Sequence, residues 1–215
     1  MCAWTRRACS ALSTPEISRL RSRPVEPDSR RFLLQRARAV IAARINRQPP
    51  PQQSAPAEVK QTRCGLFVSL HTREFPGSEA QLRGCIGHLH PRSNLEREID
   101  LVAEQAAFAD HRFAPLAGLE ELQRTSIEIS LLSPFEPVSD INEIDPGRHG
   151  LYILVGRSSG LLLPQVATQR EWDRLTFLRH LCLKAGCCAD CWKSPRARLY
   201  RFSAEVFDED SPGVR

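Results

Sequence analysis

The sequence predicts an α+β fold built on a largely antiparallel sheet flanked by helices. Three observations carry that prediction. Alternating apolar segments come mostly as neighbouring pairs, only a few helical stripes intervene, and no internal repeat is visible. A chain of 215 residues, 41% hydrophobic and 26% charged, is long enough for a real core in one large domain or a domain with a small lobe.

Residues 1–28 contain Pro15, Pro24 and Pro27 and show no stable period, so they read as an extension outside the domain. From Ser29, the predicted N-cap, Phe32, Leu33, Ala37, Val40, Ile41 and Ile45 recur at helical spacing. The Pro49-Pro50-Pro51 run that follows is a stiff connector that no helix can continue. Cys64–His71 and Gln81–Leu89 read as two strands, with Pro76-Gly77 as the turn signal between them.

Ser93 and Glu96 form a capping-box pattern ahead of a stripe of Leu95, Ile99, Val102, Ala103 and Ala106. The loop DHRFAPL ends that helix, and Ser126–Leu132 alternates as a half-buried strand. Leu151–Val155 and Gly160–Leu163 flank Gly156-Arg157-Ser158-Ser159 as a hairpin. Asp173 is placed to cap a helix carrying Leu175, Leu178, Leu181, Cys182 and Ala185, which Gly186 stops. Leu199–Phe207 reads as one late strand, so the domain runs over 29–208 with 209–215 as a tail.

The stretch Leu82–Gly87, LRGCIG, is where the sequence arranges chemistry instead of packing. Strict alternation puts Arg83, Cys85 and Gly87 on one face and Leu82, Gly84 and Ile86 on the other. A guanidinium two positions from a thiol favours thiolate, the form a nucleophilic, redox-active or metal-binding cysteine needs. Gly87 would let a substrate or another backbone approach closely. The competing reading is a small cysteine packed in a core.

LRGCIG, together with GLFVSLH, DHRFAPL, IEISLLSP, LLLPQVA and LYRFSAEVF, resembles the AMMECR domain family over about residues 30–207. More closely, the chain is similar to the bacterial and archaeal proteins called AmmeMemoRadiSam system protein A. The resemblance implies a two-lobed α+β domain and two functional partners, a Memo-type protein and a radical-SAM enzyme. It supplies no reaction. Residue by residue, Leu82, Arg83, Gly84, Cys85, Ile86 and Gly87 match the hallmark motif. Asp110, Arg112 and Phe113 match the family's D-x-R-F loop, and Glu128 its I-E-x-S strand.

These positions define a candidate constellation. Cys85 is the thiolate, Arg83 and Arg112 are anion clamps, and Asp110 or Glu128 is the proton acceptor, in a cleft with Leu82, Gly84, Ile86, Gly87 and Phe113. Each has a plainer role. Asp110 can cap the helix or pair with Arg112, Glu128 can face solvent or a neighbouring arginine, and Arg83 can bridge strands.

The chain departs from the family at KAGCCADCW, where Cys187, Cys188 and Cys191 replace apolar and proline positions. Cys188 and Cys191 have zinc-ligand spacing, and Cys182 or His180 could add a ligand, with Cys64 far off in sequence. No second tight pair completes four ligands, so drift into small reduced thiols is the favoured reading and no cofactor is required. His88 and His90 could chelate from one strand face, but they lack a third ligand nearby and read as surface residues at a strand end. Trp172 and Trp192 read as packing residues. Phosphate-loop, dinucleotide and nucleophile-elbow signatures are absent from the sequence.

Residues 1–48 hold 11 Arg against 3 acids, a net of +8, whereas the remaining 167 residues are net −3. The basicity lies in an N-terminal arm, and the acidic body argues against nucleic acid. With no secretory signal or membrane-length apolar run, the expectation is a cytoplasmic protein whose eight cysteines are reduced. Three functions are weighed: an enzyme or enzyme component using Cys85, a non-catalytic adaptor for a Memo-type or radical-SAM partner, and, more weakly, a nucleic-acid binder.

Overall fold

The structure, a computed structural model, describes residues 24–73, 75 and 78–209. The Pro76-Gly77 turn and residues 1–23 of the N-terminal arm lie outside the described residues. The fold is α+β. The chain divides into two compact units, one of the described residues up to Leu131 together with those from Glu205 onward, the other of Leu132–Ala204.

The first unit contains α1 (Pro27–Ile45), α2 (Ala57–Gln61), β1 (Leu66–Thr72), β2 (Gln81–His88), α3 (Leu95–Phe108), α4 (Leu119–Gln123) and β3 (Thr125–Leu132). Its sheet has the order β2-β1-β3-β8, where β8 (Ala204–Asp208) returns from the end of the chain. β1 pairs antiparallel with both β2 and β3. Leu66, Val68 and Leu70 of β1 and Ile127, Ile129 and Leu131 of β3 are all at most 1% exposed and share one face. They join Phe32, Leu33, Ala37 and Ile41 of α1 and Ile99, Val102 and Ala103 of α3 in one core. The apolar stripes read from the sequence thus meet on the sheet. Arg36 Nε donates to Asp100 at 2.7 Å, tying α1 to α3.

Two expectations about helix starts need correction. α1 begins at Pro27 and not after Ser29, because a proline at the first helical position loses no hydrogen bond. Val25 ahead of it is 1% exposed and donates its N–H to Glu205, so the fold reaches back before residue 29. An isolated apolar residue among prolines gives no period to detect. The N-cap of α3 is Asn94, which accepts from Arg97 N, because the Ser93 hydroxyl donates instead to buried Glu98.

The second unit holds β4 (Glu136–Pro137), β5 (Gly150–Val155), β6 (Ser158–Leu162), α5 (Pro164–Gln169), α6 (Arg174–Lys184) and β7 (Ala197–Phe202). Its sheet order is β4-β7-β5-β6, with each neighbouring pair antiparallel. Asp173 caps α6 by accepting from Thr176 N at 2.7 Å. Gly186 follows the helix at φ 73°, the left-handed conformation in which glycine carries no Cβ penalty. Phe177, Leu178 and Leu181 of α6 pack with Leu151, Ile153 and Leu162 of β5 and β6.

The late strand is two strands, not one. Alternation runs on from Leu199 to Phe207, but Ser203 interrupts the pairing, and β7 and β8 enter different sheets. Periodicity reports which residues share a face and is silent on which partner each strand takes. Among the described residues no helix is long and apolar enough to cross a membrane.

Candidate functional site

The LRGCIG motif lies on β2, an edge strand of the first sheet. A β-bulge sets its geometry. Leu70 pairs with Gly84 but the next residue, His71, pairs with Leu82, so Arg83 is the extra residue. The bulge breaks strict alternation, and Arg83 does not share the Cys85 face as the sequence predicts. Its Nε donates to Glu121 of α4 at 2.6 Å and its Nη1 to the Ala114 carbonyl at 2.7 Å. The guanidinium braces the loop that follows α3.

The glycines serve packing. A Cβ on Gly84 would sit 2.2 Å from the Ala106 carbonyl oxygen of α3, so the missing side chain lets a helix backbone reach the sheet. A Cβ on Gly87 would sit 2.1 Å from the Phe67 ring, which covers it from the neighbouring strand. Gly84→Ala is therefore expected to lower stability by about 2 kcal/mol, because the obstructing atom is backbone and cannot rotate away. Urea denaturation measures this, and an unchanged midpoint would refute it.

Cys85 is 0% exposed, and the Ser69 hydroxyl donates to its sulfur at 3.2 Å. The sulfur is therefore not water-reachable, and the Arg83 guanidinium is engaged by Glu121 and the Ala114 carbonyl. Cys64, Cys182, Cys187, Cys188 and Cys191 are free thiols. The D-x-R-F loop meets the motif through backbone groups. The Asp110 carboxylate accepts from Cys85 N at 2.9 Å, and Arg112 Nη2 donates to the Cys85 carbonyl at 3.2 Å. Arg112 also closes on Asp110 at 2.6 Å and lies over the Phe113 ring at 5.1 Å. Asp110 and Arg112 thus occupy the outward backbone groups of an edge strand, where a further strand would otherwise bind. Burial pushes the Asp110 carboxyl up, but the hydrogen bonds from Arg112 and Cys85 outweigh it and hold it below the usual carboxylate range.

The core-facing side of this sheet is apolar, whereas the opposite side carries Ser69, His71, Ser126 and Glu128 beside buried Phe67 and Cys85. Cys85, Ser69 and Glu128 form one row across β2, β1 and β3, and His71 and Ser126 form the next row. His71, Arg73, Ala80, Ser126, Glu128 and Asp208 line a cavity of about 260 Å³ on that side. Burial first, and then the Asp208 carboxylate, push the Glu128 carboxyl above its ordinary value. Burial pushes the His71 imidazole down, opposed by Asp208 and reinforced by Arg73. Among the described residues no hydrogen-bond donor to the Glu128 carboxylate is found within the first unit.

Of the predicted residues, then, Glu128 reaches a cavity, Leu82 pairs beside it with His71, and Gly84 and Ile86 face the helices. His71, Ser126 and Asp208 are additions. The alternation in VSLH put Ser69 and His71 on one face, and only strand register brings that face against Glu128.

The remaining ligand candidates stay apart. His88 is committed to Glu98, its Nδ1 donating at 2.8 Å, so it does not chelate with His90. In the second unit Cys188 is exposed while Cys191 and Cys182 are buried and Cys187 is half-buried. Burial, with the Cys182 and Cys187 thiols close by, pushes the Cys191 thiol far up, away from the thiolate that metal binding needs. His180 stacks on Trp172 with ring centroids 3.8 Å apart. Among the described residues no group of three His, Cys, Asp or Glu side chains is arranged to hold a metal ion.

The LRGCIG strand and the D-x-R-F loop that clasps its edge, two of the blocks that carry the AMMECR resemblance, meet here in one α+β unit. Residues 34–207 match the AMMECR1 family, and the chain belongs to it. It is 37% identical over 187 residues to a protein of Methanopyrus kandleri, covering 84% of this chain and 88% of that one. It is 40% identical over 188 residues to a protein of Thermococcus gammatolerans, covering 84% and 90%. The crystal structure of an uncharacterized protein from Pyrococcus horikoshii superimposes with a TM-score of 0.77 at 35% identity, covering 87% of this chain and 95% of that one.

Proposed function

We propose that this chain is the small-molecule-handling component of a system that also contains a Memo-type protein and a radical-SAM enzyme, and that it works from the polar side of its first sheet. The observation that carries this reading is the cavity shared by His71, Ser126 and Glu128. It brings together a carboxyl held toward its protonated form and an imidazole held toward its neutral form, the states in which one can give a proton and the other take one. LRGCIG acts beneath it as scaffold: Cys85 anchors the row that ends in Glu128, and Arg83 and Arg112 brace the loop.

The adaptor reading, in which the LRGCIG cleft docks a protein partner, draws less support because both arginines spend donors within the first unit. Nucleic-acid binding through the basic N-terminal arm draws less still, since within the described part of that arm Arg36, Arg38 and Arg44 pair with Asp100, Glu209 and Glu104.

The test is genetic and chemical. In the native host, deleting this gene should leave the same small molecules accumulated or missing as deleting the Memo-type or radical-SAM gene, and Glu128→Gln should reproduce the deletion. An unrelated metabolite profile, or a Glu128→Gln strain indistinguishable from wild type, would refute the proposal.

A further inference from the structure

In the second unit the chain gathers thiols where α6 ends. Gly186 N donates to the Leu183 carbonyl and Cys187 N to the Cys182 carbonyl, both at 3.0 Å, the pairing of a Schellman turn. That turn folds the residue after its glycine back against the helix, so Cys187 returns over Cys182. A second turn, in which Cys191 N donates to the Cys188 carbonyl at 3.1 Å, brings the chain back to the same place. There the Cys191 thiol is in hydrogen-bond contact with the thiols of both Cys182 and Cys187. The helix end is seated directly on the sheet. A Cβ on Gly160 of β6 would lie 2.7 Å from Ala185 N and 2.8 Å from the Leu181 carbonyl oxygen.

Access differs across the cluster. Cys182 is 0% exposed and Cys191 6%, whereas Cys187 is half-buried, its thiol donating to the Ala185 carbonyl at 3.8 Å. A reagent in solvent reaches Cys187 before the other two. Packing alone asks only for small apolar side chains here. Sulfur against sulfur adds a covalent bond that no other pair of side chains can make.

We propose that Cys187 and Cys191 are a reversible redox pair oxidised by a small disulfide of the glutathione class, with Cys187 as the entry thiol and Cys191 as the resolving thiol. The Cys187 thiolate attacks one sulfur of R–S–S–R. That S–S bond breaks, and RS⁻ leaves with the bonding pair and takes a proton from solvent. Cys191 then loses its proton to solvent and attacks the Cys187 sulfur, and the second RS⁻ leaves in the same way. Two cysteine thiols have given up two electrons and two protons to become one disulfide, and R–S–S–R has gained both to become two RSH.

The order of the two steps follows from the surroundings. Burial and the neighbouring thiols hold Cys191 toward its protonated form, so it does not begin the reaction. Once Cys187 is a neutral mixed disulfide, no charge on it opposes a Cys191 thiolate. The pair lies wholly in the second unit and goes beyond the reading of the first sheet.

Mass mapping of the reduced full-length protein tests this. The protein is treated with 2-hydroxyethyl disulfide at about pH 8, near the ordinary value of a free thiol, alkylated with iodoacetamide and digested. Cleavage after Lys184 and Lys193 releases Cys187, Cys188 and Cys191 on one peptide, and cleavage before Asp190 then parts Cys191 from the other two. Cys187 and Cys191 should be found linked, with Cys188 alkylated, and dithiothreitol should restore both thiols. Cys187→Ser should slow oxidation of Cys191 at least tenfold, and Cys188→Ser should leave the linkage in place. Cys191→Ala should stop the reaction at a lasting mixed disulfide on Cys187, with circular dichroism confirming the fold of each variant. The proposal fails if the wild-type peptide stays fully alkylated under excess reagent, if Cys191 is linked to Cys188 or to a second chain, or if Cys188→Ser abolishes the linkage.

Discussion

Asp110→Ala is expected to lower the stability of the first unit by about 3–5 kcal/mol, the cost of leaving a buried ionic partner and its donors uncompensated. The Asp110 side chain is 1% exposed and the Arg112 side chain 26%. Its two oxygens accept from Cys85 N, Arg112 N, Arg112 Nε and Arg112 Nη2. Alanine removes every acceptor at once. The Cys85 N–H is then left on a sheet edge that the loop still covers, and the guanidinium keeps its contact to the Cys85 carbonyl but loses its counter-charge. Asp110→Asn should cost less, because one oxygen remains for Cys85 N while the amide nitrogen faces the guanidinium unfavourably. Urea denaturation at neutral pH separates these cases. If Asp110→Ala stays within about 0.5 kcal/mol of wild type, as an ordinary surface substitution would, the clasp is not what closes this edge.

The clasp also marks where sequence reasoning stopped. Elements whose signals are local came through: the stripe of α3, the alternation of β3, and the Asp173 and Gly186 pair that begins and ends α6. So did the family, because several separate blocks agree in order. What failed depended on long-range pairing. One extra residue at Arg83 changes the face of everything before it on β2, and nothing within LRGCIG announces a bulge. The break at Ser203 interrupts no alternation, yet it hands the chain from one sheet to the other. The candidate site suffered in the same way. Glu128 was legible because it sits in a matched strand, whereas its neighbours His71 and Ser126 become neighbours only through the β1–β3 register. Cys85 drew attention because its glycines looked like room for a ligand, and that room is filled by the Ala106 carbonyl and the Phe67 ring.

Glu98 is the acid whose loss should be felt most after Asp110, and no motif flagged it. Its side chain is 2% exposed on the first turn of α3. One oxygen accepts from Arg92 N, Ser93 N and the Ser93 hydroxyl, and the other from His88 Nδ1 at 2.8 Å. The carboxylate thus folds the segment between β2 and α3 around itself, joining the end of the LRGCIG strand to the helix that Gly84 admits. Burial pushes this carboxyl up, but the hydrogen bonds from His88, Arg92 and Ser93 together outweigh it and leave it below its ordinary value. A depressed carboxyl binds its proton less readily folded than unfolded, so its contribution is fully present above the unfolded value of about 4.3. That contribution is lost as pH falls through the lower folded value. Glu98→Ala should cost about 3–4 kcal/mol at pH 7, since several buried donors lose one acceptor group. Glu98→Gln, which keeps the shape without the charge, should cost less. The gap between wild type and Glu98→Gln should narrow as pH is lowered from 5 toward 3. Denaturation midpoints across that range decide it: a gap that stays constant, or widens in acid, would mean that the charge of Glu98 does not hold this segment.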